Sequence, residues 1–305
     1  MNEIKTVGVV GLGALGTLYT HLLTQGLGKE HVLVLADAER IRRYEAEGVY
    51  FNGALCDFNY TPAQTCTQKL DLLIFAVKFG GLEAAIAQCR HLITPETTLV
   101  SVLNGVSSEE IIGKAFTPEQ VVWCVAQKMS AKKEGNRVTV KPLGELALGV
   151  PAGMDEGHLH RLTAFFDAIS FPYSLPRDIR LQMWSKLLCN VGTNQPTMVF
   201  ACGFGGLQVE GKPREVMFAA MREVIMVANA EGIPLSEEDV SYWVKVMDSF
   251  PPESETSMRQ DGKAHRKSEV ELFAGTILRY GAKHGLSTPV NAWLYDEVKR
   301  IEAAY

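Results

Sequence analysis

Lys186, Asn190 and Asn194 recur at i, i+4 and i+8 within Trp184-Ser185-Lys186-Leu187-Leu188-Cys189-Asn190-Val191-Gly192-Thr193-Asn194. At helical pitch that spacing projects all three side chains from one face. Leu187, Leu188 and Val191 cover much of the remainder. Asparagine is a mediocre helix former, so two of them in register in an apolar helix need a reason. A solvated face would more typically carry Glu and Lys; a polar stripe lining a ligand cleft accounts better for one lysine and two amides. Hydride delivery to a ketone makes an alkoxide, which a lysine ammonium can both stabilise and protonate. Asparagine amides can hold a carbonyl or hydroxyl without adding net charge.

Such chemistry needs a hydride donor, and the start of the chain suggests one. Gly11-Leu12-Gly13-Ala14-Leu15-Gly16 follows the apolar run Ile4 to Val10 and precedes a helical pattern of Leu15, Leu18, Tyr19, Leu22 and Leu23. A glycine fingerprint at a strand-to-helix turn lets the backbone approach a pyrophosphate, whose charge sits at the helix N-terminus. Asp37 ends the next apolar run, His31 to Ala36. An acid there bonds the adenosine ribose hydroxyls and points to NAD, whereas Arg40, Arg42 or Arg43 just beyond could grip a 2′-phosphate. Lys78 and Asn104 follow two further strands, where ligands of open α/β sheets gather. Each is equally readable as the first solvated residue, or the turn, after a strand. Glu269, by sequence alone, reads as an exposed acid pairing with a neighbour.

The elements that must position these residues fall into two halves. Strands are expected at His31–Ala36, Asp71–Val77, Thr98–Leu103 and Val121–Val125, alternating with helices, one of them Leu82–Cys89. A hairpin is expected around Asn52-Gly53, with Val49 to Phe51 and Cys56 to Tyr60 as arms, and a late β pair at Arg137–Val140 and Glu145–Leu148. From Asp178 the periodicity is helical, with helices at 178–195, 213–231, 237–248, 265–284 and 290–304. Pro251-Pro252 and the polar run to Ser257 break that array. The fold class is therefore α/β: an N-terminal Rossmann-like doubly wound sheet (1–176) followed by an all-helical C-terminal domain (177–305), with a substrate cleft between them.

Composition narrows the function. The 305 residues carry a net charge of −5 with both signs interspersed, so no nucleic-acid footprint is expected. No apolar run reaches membrane-spanning length, and the first strand starts too early for a cleaved signal. Six cysteines without C-x-x-C spacing suggest free thiols in a reducing compartment, and hence a cytoplasmic enzyme. The seven histidines show no metal-ligand spacing, so no metal is expected. The helix from Glu215 to Ala230, with its methionines, reads as packed core.

Taken in order, these motifs resemble the ketopantoate reductase family over nearly the whole chain. The carrying residues are Gly11 to Gly16, Val77-Lys78, Leu103-Asn104-Gly105-Val106, Trp184 to Asn190, Asn194, Ser257-Met258-Arg259-Gln260-Asp261, Ser268-Glu269-Val270-Glu271 and His284-Gly285 with Thr288-Pro289. The resemblance implies that Lys186 is the general acid. It places Asn190, Asn194 and Ser257 on substrate, Lys78 and Asn104 at the nicotinamide end of the cofactor, and Glu269 beside cofactor and substrate in support of catalysis. It implies NADPH-dependent reduction of 2-dehydropantoate to (R)-pantoate, with NADP the expected cofactor and NAD the alternative. The implied partner is a small-molecule 2-oxo acid; the family includes monomers and dimers, so a homodimer stays open. Phe204 stands where some members carry a substrate-contacting asparagine, Ala274 replaces another asparagine, and Gln195 separates Asn194 from Pro196. Phe204 and Asp37 support a rival, an NAD-linked D-2-hydroxyacid dehydrogenase for a bulkier 2-oxo acid. A non-catalytic redox sensor would need the glycine turn but not Lys186.

Overall fold

The structure is a computed structural model that describes residues 3–305. The described residues divide into two compact units, 3–104 with Ser108–Ile179, and Gly105–Ser107 with Arg180–Tyr305. In chain order the strands are β1 (Val7–Val10), β2 (Val32–Ala36), β3 (Tyr50–Phe51), β4 (Ala54–Leu55), β5 (Asn59–Pro62), β6 (Leu72–Phe75), β7 (Thr98–Ser101), β8 (Val121–Gln127), β9 (Ala131–Glu134), β10 (Arg137–Val140), β11 (Glu145–Gly149) and β12 (Tyr173–Ser174). The helices of the first unit are α1 (Ala14–Leu27), α2 (Ala38–Glu47), α3 (Leu82–Cys89), α4 (Ser108–Ala115) and α5 (Gly157–Ala168).

The large sheet has the order β12-β11-β8-β7-β6-β1-β2-β5. Its centre is parallel, with β1 flanked in register by β2 and β6. β1, β2, β6 and β7 are buried along their entire length, as strands covered on both faces by helices must be. The sheet is not parallel throughout: β11 runs antiparallel to β8. The expected late β pair does not form, because β10 and β11 join different sheets. The hairpin at Asn52-Gly53 is present as β3 and β4, but its second arm is shorter than expected. Residues 59–62 instead run parallel to β2 as β5. β3 and β4 belong with β10 and β9 to a four-stranded sheet, ordered β4-β3-β10-β9, that packs on α1.

One buried polar cluster stands out in this unit. The Ser101 hydroxyl at the end of β7 donates to Ser108 Oγ at 2.8 Å, and Ser108 donates to Glu109 Oε2 at 3.0 Å. Glu109 is 1% exposed, and its Oε1 has no hydrogen-bond partner. Burial pushes its carboxyl up to about 8, and the thiol of Cys124 is raised mainly by its own burial and secondarily by Glu109.

The second unit is helical, with α6 (Ile179–Val199), α7 (Gly205–Gln208), α8 (Lys212–Ala230), α9 (Glu237–Asp248), α10 (Ser257–Lys263), α11 (Ala274–Lys283) and α12 (Pro289–Glu302). Of the α8 methionines, Met217 and Met221 are core, as expected, whereas Met226 is exposed. The carboxylate of Glu223, buried on α8, accepts from the backbone N–H of Val290 and Asn291 at 2.8 and 2.9 Å. It thereby satisfies orphan donors in the first turn of α12, where a negative charge is also favoured by the helix dipole. Gln195, fully buried on α6, accepts from the Ala274 N–H at the start of α11 and donates to Asn291 Oδ1. Two expectations fail here. Residues 265–273 are irregular, so Glu269 precedes a helix rather than lying within one. The polar stretch closing at Ser257 opens α10, capped by Thr256. Among the described residues no helix is long and apolar enough to cross a membrane, and all six cysteines are free.

The folded Glu109 carboxyl titrates well above the ordinary value of 4.5, so its favourable contribution is complete below about 4.5 and lost as pH rises through about 8. Urea unfolding at pH 5, 7 and 8.5 should show wild type losing stability relative to Glu109→Gln across that window. Parallel pH dependences of the two proteins would contradict the buried, protonated carboxyl.

Candidate active site

Four of the expected residues or motifs are gathered by one rule of sheet geometry. β7, β6, β1 and β2 lie side by side and parallel, so their carboxyl ends share one edge of the sheet. Gly11 follows β1, Asp37 follows β2, Lys78 lies just beyond β6, and Asn104 lies just beyond β7. The chain leaves β1 toward β2 on one side and later returns to β6 on the other. This reversal of strand order is the crevice where open α/β sheets bind ligands.

The glycine turn is built for close backbone approach. Gly11 has φ +99°, and a Cβ there would lie 2.6 Å from the Ala76 carbonyl oxygen at the end of β6. A Cβ on Gly16 would lie 1.9 Å from the Gly11 carbonyl oxygen. Gly13 is the N-cap of α1 and contributes no side-chain hydrogen bond, so the first-turn N–H groups are left to backbone or ligand partners. Leu12 instead anchors the turn by burying its side chain with Val34, Val49 and Phe58. These features fit a dinucleotide pyrophosphate.

Asp37 caps α2: its Oδ1 accepts from the Arg40 N–H at 2.8 Å, and its Oδ2 lies 3.6 Å from Arg40 Nε. The carboxylate is thus already engaged by backbone and by a guanidinium. Arg42 and Arg43 are exposed on the same helix, Arg43 over the Tyr44 ring at 5.6 Å.

In the helical unit the stripe on α6 forms as the spacing predicts. Lys186 is partly buried; Asn190 and Asn194 are buried. Asn194 Nδ2 donates to Asn190 Oδ1 at 3.4 Å, and Asn194 Oδ1 accepts from Ser257 Oγ at 2.9 Å and from the Met258 N–H at 3.2 Å. A bond between Thr197 and Thr256 hydroxyls, 2.7 Å apart, fastens the same two segments one turn further on. Asn190, Asn194 and Ser257 therefore form one hydrogen-bonded chain. Its far end is open, because the Asn190 Nδ2 donor is buried without a partner. A buried amide donor left unmade is costly, and an acceptor atom of a ligand could satisfy it.

Trp243 on α9 is a neighbour the sequence did not single out. Its Nε1–H donates to Ser185 Oγ at 2.9 Å, and its ring lies 5.3 Å from Lys186 Nζ. The aromatic face favours the ammonium without adding a carboxylate that would lock it in an ion pair. Glu269 sits in the turn before α11, where its carbonyl accepts from Leu272 and Phe273. That turn is held by Ser268, whose N–H and hydroxyl both donate to Glu302 at 2.7 and 2.6 Å. Phe204 stacks on Phe250 with centroids 4.9 Å apart and so offers an aromatic surface where an amide was the alternative.

An open, mainly parallel sheet with a glycine fingerprint at its strand-order reversal, followed by a helical unit with a lysine–asparagine stripe, defines an NAD(P)-dependent oxidoreductase. The chain belongs to the ketopantoate reductase family: the ketopantoate reductase PanE/ApbA model matches residues 7–153, and its C-terminal counterpart matches residues 178–302. The chain is similar to the 2-dehydropantoate 2-reductase of Shigella flexneri, 27% identical over 98% of this chain and 96% of that one. Among solved structures it is similar to a dimeric ketopantoate reductase from Staphylococcus aureus, at 23% identity and TM-score 0.83, covering 98% and 99% of the two chains. A D-mandelate dehydrogenase bound to NADH and anilino(oxo)acetate superposes with TM-score 0.87 at 23% identity, covering 98% of each chain.

Gly16→Ala forces its methyl into the Gly11 carbonyl, an overpacking that should cost about 1–3 kcal/mol in urea unfolding and abolish dinucleotide binding. A variant that binds as well as wild type would show that this close approach is not required.

Proposed function

We propose that the chain is a 2-dehydropantoate 2-reductase that uses NADPH to make (R)-pantoate. The observation that carries this reading is the α6 stripe: a lysine one turn from a buried, unpartnered amide donor, in a family of reductases. Gly11, Leu12, Gly13, Ala14, Leu15 and Gly16 would cradle the pyrophosphate, Asp37 and Arg40 would meet the adenosine ribose, and Lys78, Asn104 and Glu269 would meet the nicotinamide end. When bound, the reduced nicotinamide supplies a hydride, which forms the new C–H bond at the carbonyl carbon. Lys186 Nζ gives its proton to the carbonyl oxygen as the C=O double bond becomes a C–O single bond. Asn190 Nδ2 holds the substrate oxygen that its vacant donor fits, while Asn194 and Ser257 fix the amide of Asn190 and bind the rest of the oxo acid. Trp243 positions the Lys186 ammonium. Glu269 supports catalysis from its turn.

NADP is favoured over NAD because the Asp37 carboxylate is engaged by Arg40, which offsets its repulsion of a 2′-phosphate and leaves arginines on the exposed face of α2. A second reading, an NAD-linked D-2-hydroxyacid dehydrogenase for a bulkier 2-oxo acid, is supported by the Phe204–Phe250 stack. A non-catalytic sensor leaves Lys186 and the open donor of Asn190 without a purpose. The protein is proposed to work in the cytoplasm, as a monomer or homodimer.

Initial rates of NADPH and NADH oxidation, side by side with 2-dehydropantoate and bulkier 2-oxo acids, distinguish the readings. Fastest turnover of 2-dehydropantoate with NADPH is expected; preference for a bulky acid with NADH would establish the second reading. Lys186→Ala should lower kcat by about 10²–10⁴-fold with dinucleotide affinity unchanged. Unchanged turnover of every accepted acid would refute Lys186 as the proton donor.

A further inference from the structure

The register of the small sheet turns one lysine of its edge strand toward the glycine turn. β9 pairs antiparallel with β10, Lys133 opposite Val138 and Ala131 opposite Val140. Val138 and Val140 are each 1% exposed and share a core cluster with Leu18 and Tyr19 of α1. Directly opposed residues share a face of an antiparallel pair, so Ala131 and Lys133 also face α1. Lys132 and Glu134 face the other way and form their own ion pair at 2.8 Å. Lys133 is exposed, and its ammonium reaches across to the Leu12 carbonyl, in the middle of the glycine fingerprint and far away in sequence.

We propose that Lys133 is a cofactor-binding residue that brings a full positive charge from the small sheet to the pyrophosphate of a bound dinucleotide. The inference rests on reading the glycine turn as a dinucleotide site. The first turn of α1 carries no acidic side chain, so the helix end that faces the glycine turn keeps its positive character. The helix terminus alone offers about half a unit charge, spread over its N–H groups. A phosphate oxygen is a stronger acceptor for an ammonium than a neutral carbonyl, so Lys133 would exchange the Leu12 oxygen for the ligand. The competing explanation is protective: β9 is an edge strand, and a lysine on an edge discourages pairing with another chain.

The test measures dissociation constants of NADPH and NADH by calorimetry for wild type, Lys133→Met and Lys133→Arg, with circular dichroism as the folding control and Lys133→Gln as a second neutral variant. Methionine keeps the apolar stem and removes only the charge. Both dinucleotides should bind about tenfold or more weakly to Lys133→Met, by the same factor because the pyrophosphate is common to both, and arginine should restore most of the affinity. Unchanged affinity together with self-association of Lys133→Met on size-exclusion chromatography would overturn the proposal in favour of edge protection. Weakening of NADPH alone would also overturn it, placing the ammonium at the 2′-phosphate. If wild type binds neither dinucleotide, the reading of the glycine turn fails, and this inference with it.

Discussion

The first unit depends on a contact that only two hydrogen-sized side chains permit. Gly16 packs on the carbonyl of Gly11, and Gly11 packs on the end of β6, so a strand, the helix that follows it and the neighbouring strand meet at backbone distance. Any larger residue would push α1 away from the sheet and disturb the helix termini that give the crevice its electrostatic character. Around that point the packing is apolar: β1, β2, β6 and β7 are buried on both faces, and Leu12 pins the turn from below.

The helical unit solves a different problem, which is how to carry many polar groups in a core without leaving them unpaired. Gln195, Asn291 and Glu223 connect α6, α8, α11 and α12 through a network in which a side chain on one helix satisfies the exposed terminus of another. Such networks rigidify a core when every member is satisfied. Against that background the open donor of Asn190 is conspicuous, because the neighbouring Asn194 has partners for both ends of its amide.

Much of this was legible from residue patterns, for reasons that also explain the failures. The α6 stripe, the glycine turn and the strand ends at Lys78 and Asn104 depend on local periodicity, which sequence carries directly. The expected helix takes in Glu269 because Val270 and Phe273 are apolar at helical spacing, yet their burial comes in a turn fastened by the distant Glu302. α10 is hidden because Ser257-Met258-Arg259-Gln260-Asp261 carries a single apolar residue; it is held by the Thr256 cap, by Asn194 and by the buried Met258. Strands β10 and β11 are adjacent in sequence and have compatible patterns, but β10 pairs with the preceding β9 and with β3, whereas β11 pairs with β8 and β12. Trp243 and Lys133 gave no local signal, since each matters through a contact with a different element.

The rims of the large sheet have a consequence for how copies of this chain can meet. One rim is β5, which ends in Pro62, a residue with no N–H to offer; the other is β12, only Tyr173–Ser174. Neither presents the long ladder of unpaired donors and acceptors that a foreign strand needs as a template. Encounters at high concentration must therefore be resolved by side-chain surfaces, whose fit is selective, rather than by backbone, whose fit is not. For the large sheet, strand-by-strand addition is opposed by where its outermost strands stop.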